Sequence, residues 1–136
     1  ITTAGLEADL AAPRYSPDGR HIVYVEADAD RFHLKLYDRG TDKNRVLYRS
    51  ESQIIAPTWH PGGEQIVFGH DANGVYNLYR LPLAVTAAPT PVSHVRGGLF
   101  FPSFSSAGRS LAAETLAPLH RFRLRYRTCC APGSSQ

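Results

Sequence analysis

Ala56-Pro57-Thr58-Trp59-His60-Pro61-Gly62-Gly63-Glu64-Gln65-Ile66-Val67-Phe68 is a stretch that this chain carries three times. The first copy is Ala12-Pro13-Arg14-Tyr15-Ser16-Pro17-Asp18-Gly19-Arg20-His21-Ile22-Val23-Tyr24, and the third is Phe101-Pro102-Ser103-Phe104-Ser105-Ser106-Ala107-Gly108-Arg109-Ser110-Leu111-Ala112-Ala113. The lead prolines stand at 13, 57 and 102, a period of 44 and then 45 residues. A fixed period of that size is the mark of a repeat architecture.

Each copy follows one physical plan. A proline comes first, and two residues later an aromatic: Tyr15, Trp59, Phe104. In Ser16-Pro17-Asp18-Gly19 the proline presets φ for the first turn corner, and the glycine supplies the positive φ that closes a hairpin. His60-Pro61-Gly62-Gly63 does the same, and Ser105-Ser106-Ala107-Gly108 keeps the glycine alone. An apolar run follows each turn. Each copy therefore reads as a short inner strand opening at its proline, a tight turn and a second strand. Gly19, Gly63 and Gly108 are expected at positive φ. Ile22, Val23, Tyr24, Ile66, Val67, Phe68, Leu111 and Ala112 are expected to be buried.

Working outward, the first unit reads as four strands at 13–16, 21–26, 32–38 and 45–48. The second of these, Ile22-Val23-Tyr24-Val25, has no polar break. A strand apolar on both faces is covered on both faces. The second unit repeats the plan at 65–68, 75–81 and 91–94, with Asn73-Gly74 as a turn signal. The third has 101–104 and 110–115, then an alternating 121–127 with Phe122, Leu124 and Tyr126 on one side. Residues 1–3 fall where the last strand of a preceding unit belongs. The resulting division is 1–12 as the end of a preceding blade, 13–56 and 57–101 as two blades, 102–127 as an incomplete third, and 128–136 as a disordered tail. The fold class is all-β, a partial β-propeller of about three four-stranded blades.

The repeat Pro13…Tyr15-Ser16-Pro17-Asp18-Gly19-Arg20…Ile22-Val23-Tyr24 resembles the WD40-like, or PD40, repeat of the TolB-type propellers. The same repeat occurs in the propellers of prolyl-oligopeptidase-like serine peptidases. The resemblance covers roughly residues 1–115. It implies a non-catalytic protein-interaction scaffold, periplasmic or secreted, with a protein or peptide partner. The alternative it leaves open is an accessory, gating propeller of a serine hydrolase whose catalytic domain lies elsewhere. Rings of this type have about six blades, so three would leave open blade faces, a route to self-association.

Composition agrees with a packed domain. The chain has 136 residues and is 43% hydrophobic, enough for a core. No apolar run approaches the roughly 18 residues of a membrane span. There is no methionine, so Ile1 reads as the start of a processed chain or of a piece. The net charge of +3 comes from Arg121, Arg123, Arg125 and Arg127; without them the 15 basic residues fall to 11 against 12 acidic, or −1. A near-neutral body argues against nucleic-acid binding. The two cysteines, Cys129 and Cys130, are adjacent and build no disulfide framework.

No catalytic pattern stands out. Phe104-Ser105-Ser106-Ala107-Gly108 lacks the first glycine of a nucleophile elbow. The six histidines fit no metal template. His60 stands where Ser16 stands in the first copy, a place from which a side chain bonds the turn backbone. Glu26-Ala27-Asp28-Ala29-Asp30 has Arg31 and Tyr37 where a calcium loop needs glycine and glutamate, so it reads as a solvated loop. No catalytic, cofactor or metal residue is assigned, and no cofactor is expected. Tyr15, Trp59 and Phe104 read as packing between blades. The interaction face is placed on the loops between blades and between second and third strands, where Asp28, Asp30, Glu51 and Asp71 make the surface acidic. The opposite face mixes Asp18, Asp38, Asp42 and Glu64 with Arg20, Arg39, Lys43, Arg45 and Arg109.

Overall fold

A computed structural model describes residues 9–83, 88–95, 98–114 and 121–126. The expected strand at 1–3 and the tail from 128 lie outside the described residues. The described residues form strands and no helix, in three antiparallel sheets. The first is β1 (Asp9–Tyr15), β2 (His21–Ala27), β3 (Phe32–Asp38) and β4 (Lys43–Ser50), paired in that order. The second is β5 (Ile54–Trp59), β6 (Gln65–His70), β7 (Asn77–Pro82) and the two-residue β8 (Thr90–Pro91). The third is β9 (Phe100–Phe104), β10 (Ser110–Glu114) and β11 (Arg121–Arg125).

The inner strands correct one expectation. They begin at Asp9, Ile54 and Phe100, ahead of the prolines rather than at them. The ladder explains why. Ala11 pairs with Val25 and Arg14 with Val23, so Ala12-Pro13 stands opposite Tyr24 alone. Ala56-Pro57 stands in the same way opposite Phe68, and Phe101-Pro102 opposite Ala113. Two residues against one is a β-bulge, a place where a strand tolerates a residue with no N–H to donate. In the middle copy the bulge holds Ala56 at φ +48°.

The continuous apolar runs serve two neighbours at once. Val23, Val25, Leu34 and Leu36 of the first sheet pack on Ile54, Trp59, Ile66, Phe68 and Leu81 of the second. The other face of the second sheet sends Val67 and Leu78 against Leu99, Leu111, Ala113 and Tyr126 of the third blade. Successive residues of one strand thus feed different inter-sheet cores, each large side chain contributing about 1.5–3 kcal/mol. The expected core residues are buried except Ala112, which is half-buried while Ala113 is not.

The far face of the first sheet, expected to be left open by a missing neighbour, carries a small apolar cluster ringed by polar pairs. Ile22, Tyr24 and Tyr37 are buried there. Tyr24 donates to Asn44 Oδ1 at 2.6 Å, Tyr37 donates to Asp42 Oδ1 at 2.5 Å, and Lys35 pairs with Glu26 at 2.7 Å. The corresponding positions of the second sheet hold Phe68, Leu81, Tyr79 and His70, so the Lys35–Glu26 ion pair stands where the second sheet has Tyr79 and His70.

Turns and side chains fasten the blades. Gly19, Gly63 and Gly108 have φ of +73°, +78° and +73° and donate N–H bonds to Ser16, His60 and Ser105. Trp59 Nε1 donates to the Arg14 carbonyl at 3.0 Å, and Thr58 Oγ1 to the Pro102 carbonyl at 3.1 Å. Trp59 packs between blades as expected, and Phe104 sets its ring edge against His60 and Tyr126. Tyr15 does not: it is 59% exposed, with the Arg39 guanidinium 5.5 Å from its ring centre. This repeat position reaches toward the preceding blade, and no blade precedes the first among the described residues.

Candidate interaction face

Register decides which loops share a face. Asp9 pairs with Ala27, Phe32 with Ser50, and Ile54 with His70. The loops at 28–31, 51–53 and 71–76 therefore leave the first two sheets at one common end. These loops carry Asp28, Asp30, Glu51 and Asp71.

The four acids have different circumstances. Asp28 organises its own loop: Oδ1 accepts the N–H groups of Asp30 at 3.1 Å and Arg31 at 3.0 Å, and Oδ2 lies 3.1 Å from His33 Nε2. The Asp30 N–H, then His33, then the Arg31 N–H hold the Asp28 carboxyl below the usual aspartate range. Asp71 ties two loops together, its Oδ1 accepting the Gln53 N–H at 2.7 Å. Asp30 and Glu51 are exposed, and among the described residues their carboxylates engage no hydrogen bond or ion pair. Two acids thus build the loops, and two are left with their charge open to solvent. Among the described residues no three His, Cys, Asp or Glu side chains come close enough to hold a metal ion.

Beneath these loops lies a polar cluster that sequence reading did not single out. His70 is only 1% exposed, and its Nδ1 donates to the Gln53 carbonyl at 2.9 Å. Its ring meets Tyr48 and Tyr79 edge-on, at 5.6 and 5.1 Å between centroids. Tyr76 donates to Gln53 Oε1. Burial, with the Asp71 charge behind it, pushes the Tyr76 hydroxyl up from its usual range. Gln53 therefore joins strand, loop and the acidic surface. The only sequence signal was the place of His70 in the repeat, 44 residues after Glu26, at the end of a buried strand. His33 sits in the same layer, its Nδ1 buried with no partner.

His60 does what its place in the repeat predicted. Its Nδ1 accepts the Gly62 N–H at 3.0 Å, so Nε2 carries the proton and donates to the Gly108 carbonyl at 3.0 Å. Its ring stacks on Tyr126 at 5.5 Å.

The opposite end of the sheets holds a crease between the first two blades, centred on His21. Three adjoining cavities of about 330, 460 and 420 Å³ open there, lined by residues that include Asp38, Lys43, Arg45, Glu64 and Leu83. Arg20 bonds Asp38 at 3.2 Å and is the main cause of its lowered carboxyl pKa.

The geometry has clear counterparts among known proteins. The chain is 33% identical over 76 residues to the Tol-Pal system protein TolB of Francisella tularensis subsp. mediasiatica, which covers 56% of this chain and 17% of that protein. It superposes on the crystal structure of TolB from Acinetobacter baumannii with a TM-score of 0.79 at 19% identity, over 88% of this chain and 30% of that one. The chain folds as consecutive blades of a TolB-like β-propeller. This TolB-like segment spans about one sixth of the length of the curated TolB relatives it matches. No protein-family model matches it. The blade fold is shared more widely: a Mycobacterium tuberculosis puromycin-hydrolyzing peptidase superposes with a TM-score of 0.67 at 19% identity, over 85% of this chain and 20% of that one.

Proposed function

We propose that the chain is a non-catalytic, TolB-like interaction module that binds a protein or peptide segment through the loop face of Asp28, Asp30, Glu51 and Asp71, in the periplasm as part of a Tol-Pal-type system. The observation that carries this reading is the division of labour among those acids. Asp28 and Asp71 fix the loops, so Asp30 and Glu51 present uncommitted charge from a rigid support, and such a field steers a cationic partner. The sequence likeness to TolB, a Tol-Pal system protein, supports a protein partner.

The test is titration of a Tol-Pal partner against this chain at about 50 and 300 mM salt, where screening separates charge steering from apolar contact. Asp30→Asn with Glu51→Gln is expected to weaken binding several-fold at low salt and to flatten its salt dependence, with the loop-fixing Asp28 and Asp71 left in place. Binding that survives this change and is lost on Arg20→Ala with Arg39→Ala would move the interface to the other end. Turnover of a peptide or ester by the chain, abolished by substituting one of its own residues, would overturn the non-catalytic reading.

The second reading is an accessory propeller of a serine hydrolase, favoured by the structural likeness to a peptidase. A Gly-x-Ser-x-Gly nucleophile elbow in the continuing reading frame would decide for it.

A further inference from the structure

We infer that the rim strand β4 receives an acidic, extended peptide segment as an added strand, at an interface separate from the acidic loop face. The observation is a contrast between two rims. In the second blade the outer strand is β8, two residues long and half proline. In the first blade it is β4, eight residues long and without proline. Among the described residues no strand pairs with the outer edge of β4. Alternate N–H and C=O groups along that edge are free to form a ladder, the basis of recognition by strand addition.

Charge selects the occupant. β4 carries Lys43, Arg45 and Arg49 and no acidic residue. All three are exposed, and among the described residues none of their side chains makes a hydrogen bond or ion pair. Of the acids nearby, Asp38 is committed to Arg20 and the Gly40 N–H and Asp42 to Tyr37, which leaves Glu64 beside Arg45 and Glu51 beyond Arg49 against the three cations. Lys43 pairs in register with Asp38, and Arg45 with Leu36. Both therefore share the face turned toward the second blade, where they line the 330 Å³ cavity beside His21. A segment laid along β4 with carboxylates two residues apart would set them against Lys43 and Arg45 as cross-strand pairs. A second copy of this strand is a poor occupant, because it would bring cations and no carboxylate to Lys43 and Arg45.

The experiment uses the 136-residue chain and a blocked, fluorescent peptide of about ten residues alternating Glu and Thr, with a Lys-Thr peptide beside it. Expected are saturable, salt-weakened binding of the Glu peptide and slowed hydrogen exchange at the β4 amides that point away from β3. Lys43→Glu with Arg45→Glu should weaken binding at least about tenfold, and the milder Lys43→Gln with Arg45→Gln by several-fold. Asp30→Asn with Glu51→Gln should leave it unchanged, which separates this interface from the loop face. No binding, equal binding of the Lys peptide, indifference to the β4 substitutions, or protection elsewhere would overturn the inference.

Discussion

Gly19 and Gly108 occupy the same corner of their turns, both at φ +73°, yet an added methyl group meets different surroundings. At Gly19 nothing lies within 4 Å of the new carbon. At Gly108 it would sit 2.3 Å from His60 Nε2 and 2.7 Å from Cε1. Gly19→Ala should therefore cost about 1–2 kcal/mol, the strain of a left-handed alanine. Gly108→Ala adds overpacking of roughly 1–3 kcal/mol. Urea unfolding of the two variants measures the difference, and equal losses would mean that His60 does not grip the third blade. The need for glycine at both corners was legible in the turn sequence, and so was the use of His60 Nδ1 by its own turn. That the other side of the ring reaches Gly108 was not, because the contact depends on how two blades lean together. Tyr15 failed for a related reason: its repeat position promises packing, but packing needs a neighbour that sequence spacing does not supply.

At the scale of strands, the repeated X-Pro bulge matters more than the strand starts. It lets an edge strand carry a proline and bend without losing the pairing on either side. The sequence placed the prolines at strand starts because a missing N–H suits a first residue equally well. Only the register, two residues against one in all three sheets, separates the alternatives. The bulge also sets up the joint that follows it, with Thr58 and Trp59 reaching opposite neighbours. Trp59→Phe keeps a ring in the core but removes the indole N–H from the Arg14 carbonyl. A loss of about 1–3 kcal/mol is expected from that unpaired carbonyl. Amide exchange in β1 should quicken with it, and unchanged exchange there would show that the first blade does not rely on this bond.

For the molecule as a whole, acid should act through both ends of the sheets. Asp18, Asp28 and Asp38 are all held below the ordinary aspartate range, by Ser16, by the Asp30 N–H and by Arg20 respectively. A carboxyl lowered on folding lends stability above its unfolded value, near 4, and loses it as pH falls through the folded value. Thermal unfolding should therefore be nearly level from neutrality to about pH 5, as far as these groups decide it, and should decline below about pH 4. Asp38→Asn should make that decline shallower, and an unaltered profile would show that its pairing with Arg20 does not couple to folding. The architecture was legible in the sequence because a period is read from many residues at once. The candidate face was legible only as a set of loops. Which acids hold backbone and which stand free depends on single side-chain rotamers, and the His70–Gln53–Tyr76 layer below them joins residues far apart in the chain.

The inter-blade bonds also record how such a chain can lengthen. Thr58 reaches a carbonyl 44 residues ahead of it, and Trp59 one 45 residues behind. Those distances match the repeat length to within one residue, so donor and acceptor occupy adjacent positions of the unit. A tandem duplication of a single unit would carry both halves of the next joint with it. New blades can therefore enter or leave a gene by unequal recombination without any side chain having to evolve afresh, and the number of blades becomes a quantity that inheritance can change in whole steps.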